Sequence, residues 1–281
     1  MNTVDQFTGM SMRCSRIATE AYSTSFSSAI RLLHKDLQAP VHAVYGLVRC
    51  ADEIVDTFHG FDKGLLLSRF KQDTFTAIEE GISLNPVLQA FQATVRQYHI
   101  DHKLIHAFFK SMEMDLDKKD YHTEQELDEY IYGSAEVVGL MCLYIFCEGS
   151  EVLYKKLEPG ARALGAAFQK VNFLRDLKAD YQVLERTYFP GIDLRRFDAA
   201  SKASIEQSIL RDFENAYTSI QQLPMKARLG VYVAYRYYFS LFRKIRRLEA
   251  ARIIEQRIRI PDFMKLVIVC KAGIRNGLNM I

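Results

Sequence analysis

Gln169-Lys-Val-Asn172-Phe-Leu-Arg175-Asp176-Leu-Lys-Ala-Asp180 sets Gln169, Asn172, Asp176 and Asp180 three or four positions apart, with Val171, Phe173, Leu174 and Leu177 between them. At about 100° per residue, Gln169, Asn172, Asp176 and Asp180 fall within an arc of roughly 80°. Val171, Leu174 and Leu177 lie off that arc and are free to pack. The stretch therefore predicts a helix with one chemically equipped face. About 120 residues earlier, Arg49-Cys-Ala-Asp52-Glu53-Ile-Val-Asp56 has the same design. There Tyr45, Arg49, Asp52 and Asp56 share a stripe, while Leu47, Ala51 and Ile54 point elsewhere. Each segment presents two carboxylates side by side, because residues four apart project from one helix face. Burying unpaired carboxylates is costly, so such groups are paired or hold a metal. Facing acidic helices suit a hard cation such as Mg²⁺, with Mn²⁺ as a substitute, which favours carboxylate oxygen and often bridges to phosphates. Tyr and Arg on the first stripe suit an anion held partly through metal and partly through guanidinium. The plainer alternative is two solvated faces laced with local ion pairs. Two matching stripes argue against it.

The rest of the chain predicts an all-α bundle in which residues 1–281 form a single domain. Hydrophobic residues make up 49%, only 6 Pro and 14 Gly punctuate them, and no repeat or low-complexity linker divides the chain. Breaks are expected at Gly60-Phe-Asp-Lys-Gly64, Leu84-Asn85-Pro86, Glu158-Pro159-Gly160, Pro190-Gly191, Leu223-Pro224 and Pro261. Between them, segments of about 15 to 30 residues with helical spacing read as helices. Pro159-Gly160 is expected to precede the long helix carrying the second acidic pair.

These residues carry a resemblance to the squalene/phytoene synthase family. Its first motif, an Asp-rich helix preceded by Arg, is matched at Arg49, Asp52 and Asp56, and its second at Gln169, Asn172, Arg175, Asp176 and Asp180. Arg186-Thr-Tyr188-Phe189-Pro190 resembles a further family stretch, and Tyr22-Ser-Thr-Ser25-Phe26 its Ser-Phe substrate segment. Tyr130-Ile-Tyr132-Gly133-Ser134-Ala135-Glu136-Val-Val-Gly139 resembles another of its helices. Glu136 stands where Gly is frequent, and Thr24 where a basic residue is. The resemblance runs from about residue 20 to about 260. It implies an isoprenoid-synthase helical bundle with a central cavity, and Asp52, Asp56, Asp176 and Asp180 as catalytic residues. These four, with Asn172, would hold the metal. Tyr22, Ser25, Phe26, Tyr45, Arg49, Tyr130, Gln169, Asn172, Arg175, Tyr238 and Arg257 would bind substrate, the last two helping to hold a diphosphate.

Charge is nearly balanced, with 37 basic and 34 acidic residues for a net +3. The exception is C-terminal: Arg243, Lys244, Arg246, Arg247, Arg252, Arg257 and Arg259 follow a run of Tyr and Phe. Basic and aromatic residues together can bind nucleic acid, but no such motif accompanies them and no nucleic-acid partner is expected. A solvated basic face is the simplest reading, and an anionic membrane surface could attract it. Five cysteines without a C-x-x-C pair, and no signal peptide, predict reduced thiols in the cytoplasm. The longest apolar run, Val137 to Cys147, is too short to span a bilayer and reads as a core helix, so any membrane contact is expected to be peripheral. Gly133, Ser134, Ala135 and Gly139 fit tight helix packing or, with the resemblance, room for a prenyl tail. His102 and His106 are four apart but have no third ligand and read as surface or core histidines.

The resemblance implies a Mg²⁺-dependent prenyltransferase that joins two prenyl diphosphates head to head through a cyclopropylcarbinyl diphosphate. The absence of a Gly-rich dinucleotide fingerprint favours a product formed without NADPH. The reading is phytoene synthesis from two C20 geranylgeranyl diphosphates, the first step of carotenoid biosynthesis. The alternative is a C15-using dehydrosqualene or squalene synthase. The non-enzyme alternative is a helical assembly protein of the same fold.

Overall fold

The computed structural model describes residues 3–118, 120–182, 188–191, 197–255 and 258–277, with side chains at 178–182, 251, 254–255, 262 and 277 outside that description. Among the described residues there is no strand. The helices in chain order are α1 Thr3–Tyr22, α2 Thr24–Ile30, α3 Lys35–Asp56, α4 Lys63–Glu80, α5 Pro86–Tyr98, α6 His102–Asp117 and α7 Glu124–Ile131. A π turn, Tyr132–Glu136, then leads into α8 Val137–Cys147, α9 Glu151–Gln182, α10 Ala199–Ile220, α11 Met225–Arg246, α12 Ala250–Glu255 and α13 Asp262–Gly277. The all-α expectation holds.

Local chemistry starts these helices. Side chains of Ser23, Asp62, Asn85, Asp101, Thr123 and Asp198 each accept a hydrogen bond from a first-turn amide, at 2.8–3.2 Å. Each removes one of the unpaired donors that a helix start exposes. Pro86 follows its cap at the first helical position, where its missing N–H costs nothing. The breaks expected near residues 60–64, 84–86, 223–224 and 261 all separate helices.

One expected break is absent. The helix α9 runs through Pro159 and Gly160 without interruption. Proline costs one backbone hydrogen bond and some crowding, but it does not forbid a helix whose faces are well packed. The α9 helix lies along α10 and against α8, and Leu157 is fully buried. Gly160 serves that packing: a Cβ there would lie 2.0 Å from Ser219 Oγ on α10. It is a point of close approach, not a stop.

The core is aromatic and aliphatic, with Phe91, Phe108, Phe109, Phe213 and Phe242 completely enclosed. The run Val137–Cys147 is a core helix, with Val137, Leu140, Met141, Leu143 and Ile145 all buried. The continuous stretch Glu124–Cys147 contains a window long and apolar enough to cross a membrane, but 56% of that window is buried inside the protein. His106 is exposed and stacks on Phe75 at 4.2 Å, with no metal-ligand cluster around it among the described residues.

Candidate active site

The helices α2, α3, α6, α8, α9, α10 and α11, with Tyr22 at the end of α1 and Tyr130 near the end of α7, surround a cavity of about 580 Å³. Its two ends differ sharply. From α3, Tyr45, Arg49, Asp52 and Asp56 face it, as the stripe requires. From α9 come Gln169, Asn172, Arg175 and Asp176. Tyr22, Phe26, Tyr130 and Tyr238 complete the polar and aromatic part. Val41, Leu143, Phe146, Leu157 and Leu223 form an apolar slot further along the same helices.

Ser25 does not line the cavity. It precedes Phe26 on α2, and adjacent helical residues point about 100° apart, so Phe26 takes the inward direction. Ser23 does line it and also caps α2. The side chain of Asp180, together with Arg186 and Arg257, lies outside the described residues.

Electrostatics mark the acidic end. The Asp52 carboxyl is pushed up to about 7, first by burial and then by the neighbouring Asp56 and Asp115, with Arg49 opposing. Arg49 pairs with Glu53, and its guanidinium lies 4.3 Å from the centre of the Tyr22 ring. Its buried Nε has no hydrogen-bond partner, which leaves a donor for an anion. Arg175 Nε donates to Asp176 Oδ2 at 3.0 Å. Asn172 Nδ2 reaches Gln169 Oε1 at 3.5 Å, and its buried Oδ1 accepts nothing. An uncharged, buried oxygen without a partner, beside several carboxylates, is the donor type a hard cation takes. The residues fit Mg²⁺ on that ground. Among the described residues no three acidic, His or Cys side chains gather closely enough to hold an ion by themselves. Ligands from diphosphate would complete the shell, as Mg²⁺ usually requires.

Several wall residues were not singled out from sequence. Asp115, on α6, is buried and accepts a hydrogen bond from the Tyr130 hydroxyl at 3.0 Å. It lies on the stripe of Leu104, Phe108 and Met112, so a carboxylate on an apolar helix face was its available signal. Phe168 stacks on Tyr238 at 3.8 Å and lies 6.2 Å from Phe26, which is 5.9 Å from Tyr45. Phe173 stacks on Tyr188 at 3.9 Å, with Tyr130 beside both. Burial pushes the Tyr45 hydroxyl up to about 12 and raises Tyr238 as well, so both stay neutral donors.

The small residues divide between two uses. A Cβ on Gly133 would lie 2.6 Å from the Ala107 carbonyl oxygen, so Gly133 is a contact point with α6. Ser134, Ala135 and Gly139 line the cavity, and Gly139 serves both uses, since a Cβ there would lie 3.0 Å from the Ala161 carbonyl oxygen on α9.

The squalene/phytoene synthase family profile matches residues 19–263. The 4,4'-diapophytoene synthase of Staphylococcus haemolyticus is 26% identical over 196 residues, covering 68% of this chain. The chain spans 66% of that relative's length, just under two thirds. The phytoene synthase of Arthrospira platensis is 25% identical over 286 aligned positions, covering 92% of this chain and 91% of its own. A solved dehydrosqualene synthase, crystallised with ligand, superimposes with a TM-score of 0.83 at 21% identity, covering 98% of this chain and 99% of that one. At that identity the superposition shows the helical fold. With the profile extending from α1 to α13, the chain belongs to the squalene/phytoene synthase family.

Proposed function

We propose that this chain is a prenyltransferase that joins two geranylgeranyl diphosphates head to head to give phytoene. The observation that carries this reading is the cavity itself: Asp52, Asp56 and Asp176 at one end and an apolar slot beyond. A diphosphate with a long hydrocarbon tail has that same division of character.

Asp52, Asp56, Asn172, Asp176 and Asp180 would hold Mg²⁺, which supplies neutralisation of the leaving diphosphate's charge. Arg49 and Arg175 add fixed positive charge beside that position. When the allylic C–O bond breaks, its electron pair leaves with diphosphate and C1 becomes cationic. The rings of Phe26, Tyr45, Phe168 and Tyr238 offer π faces to that cation. The double bond of the second prenyl diphosphate supplies electrons to C1, and loss of a proton leaves a cyclopropylcarbinyl diphosphate. A second ionisation, rearrangement and proton loss give the 1–1′ linked hydrocarbon. The apolar walls exclude water, which would otherwise capture either cation. No reductant is consumed on this route.

A second reading keeps the chemistry and shortens the tail: C15 substrates giving a C30 product. It is favoured by the names of the staphylococcal relative and the superimposed structure. Incubating purified protein and Mg²⁺ with C15 or C20 diphosphate, with and without NADPH, and weighing the hydrocarbon separates the two. A C40 product without NADPH supports phytoene synthesis; a C30 product with the C20 substrate untouched overturns it. Asp52→Ala and Asp176→Ala are each expected to abolish turnover while leaving helicity intact and melting temperature unchanged or raised. Full activity in both would refute the catalytic assignment of these aspartates, and no turnover by the wild-type protein on either substrate would return the chain to the non-enzyme alternative.

A further inference from the structure

The helix α13 is apolar on two sides. Ile268, Val269 and Ala272 pack inward, and α11 is its main neighbour. Two of its cations are turned to the body of the protein: Lys265 Nζ donates to Thr24 Oγ1 at 2.7 Å, and Arg275 donates to the Tyr232 hydroxyl at 3.1 Å. The outer side carries Phe263, Leu266, Val267, Cys270 and Ile274, which on a helix share an arc of about 100°. Phe263, Leu266 and Ile274 are 69%, 66% and 63% exposed. A helix apolar on both sides is ordinarily buried. Among the described residues nothing covers this one.

The surrounding charge indicates what does. Residues 243–275 hold ten basic and three acidic side chains, seven positive charges in a chain whose total is +3, so the remainder carries four negative ones. Arg243, Lys244, Arg247 and Arg259 are exposed, and Lys244 Nζ donates to the Arg259 carbonyl just before α13 begins. A second copy meeting this face across a two-fold axis would bring like charges together. An anionic bilayer meets both features: headgroups take the cations and the acyl boundary takes the stripe. The helix also stands beside the cavity, since the Thr24 it binds follows Tyr22 and Ser23 of the wall.

We propose that α13 docks this protein on anionic membrane, with Phe263, Leu266, Val267 and Ile274 entering the interface and Arg243, Lys244, Arg247 and Arg259 at the headgroups. This rests on the proposed function only in supplying a reason for lipid proximity, namely a lipid-like substrate. The test is flotation with vesicles of phosphatidylcholine alone or with 30% phosphatidylglycerol added, at low and high salt and without substrate. Wild-type protein is expected to float with the anionic vesicles, less so at high salt, and poorly with the neutral ones. The double variant Leu266→Glu, Val267→Glu should bind at least about tenfold more weakly with an unchanged melting temperature, since both side chains are solvent-exposed. Wild-type protein that ignores anionic vesicles, or a double variant that binds equally well, overturns the proposal. So does a dimer in sedimentation equilibrium that the same substitutions convert to monomer, which would make a second copy the occupant. Turnover measured in detergent, without vesicles, tests the catalytic reading separately.

Discussion

Asp52 and His42 depart from their ordinary titration in opposite senses, and the two lie ten residues apart on α3. For Asp52, the folded carboxyl near 7 binds its proton more tightly than an unfolded one near 3.8. Its contribution is therefore fully present below about pH 4 and lost as pH rises through 7. In metal-free protein, Asp52→Asn should stabilise the fold at pH 8 by roughly 2–4 kcal/mol more than at pH 4, read from denaturant midpoints. An equal effect at both pH values would remove burial as the cause. His42 is buried, donates from Nδ1 to Thr19 Oγ1 at 2.9 Å, and is held down to about 4 by burial and by Arg16. Its contribution is present above 6.5 and lost as pH falls toward 4, so His42→Asn should flatten the acid limb of the same curve. The described aspartates Asp52, Asp56 and Asp176 were legible because the helical period placed each with partners of its own kind. Asp115, Phe168 and Phe173 were not, because one Asp or Phe on an apolar helix looks the same whether it lines a cavity or fills a core. Ser25 stands off the cavity wall for a local reason, the 100° step between neighbours on α2.

Proline and glycine read locally as punctuation between helices, but tertiary packing decides whether they act as such. Asn85-Pro86 and Leu223-Pro224 do mark helix starts, because the chain has a cap or turn ready on each side. Pro159-Gly160 does not, because α8 and α10 hold α9 straight through it. No local signal distinguishes these cases; the partner helix does. The π turn at Tyr132–Glu136 is similar: its Gly133 touches the α6 backbone, and that contact spans more than twenty residues of sequence. Gly133→Val should push α6 and the turn apart and cost about 1–3 kcal/mol, lowering the melting temperature by several degrees. Gly9, with open space around it, should accept alanine without loss, which provides the control. The outer stripe of α13 shows the complementary limit. Periodicity reports that residues share a face; it does not report whether anything covers that face.

For the whole molecule, the α-helical class was plain from composition and spacing, whereas the cavity was foreseen only through the family resemblance. Its walls come from helices far apart in sequence, and no window of residues contains it. The same walls set its length. From Asn172 to Leu157 the α9 wall descends 15 residues, about 22 Å at 1.5 Å per residue. Ala216, on α10, is fully buried and faces the slot near Ser219 and Ile220. Ala216→Phe should lower kcat/KM for the C20 substrate more than for the C15 substrate, by about 10-fold or more in direct competition. Equal losses for the two would mean that the slot at this point does not measure the tail.

On the proposed function, the unequal ends of that cavity also govern how a catalytic cycle finishes. Each substrate arrives with a diphosphate that the acidic end can grip and that water readily solvates. Once both diphosphates have departed, what remains is pure hydrocarbon held by dispersion alone, with an aqueous phase it will not enter. Escape is then a partitioning step, and its speed depends on the receiving phase rather than on bond chemistry. A pre-steady-state burst equal in size to the enzyme concentration, followed by slow turnover that quickens when vesicles are added, is the expected time course. Product formation linear from the first turnover, and indifferent to added lipid, would place the slow step back in the chemistry.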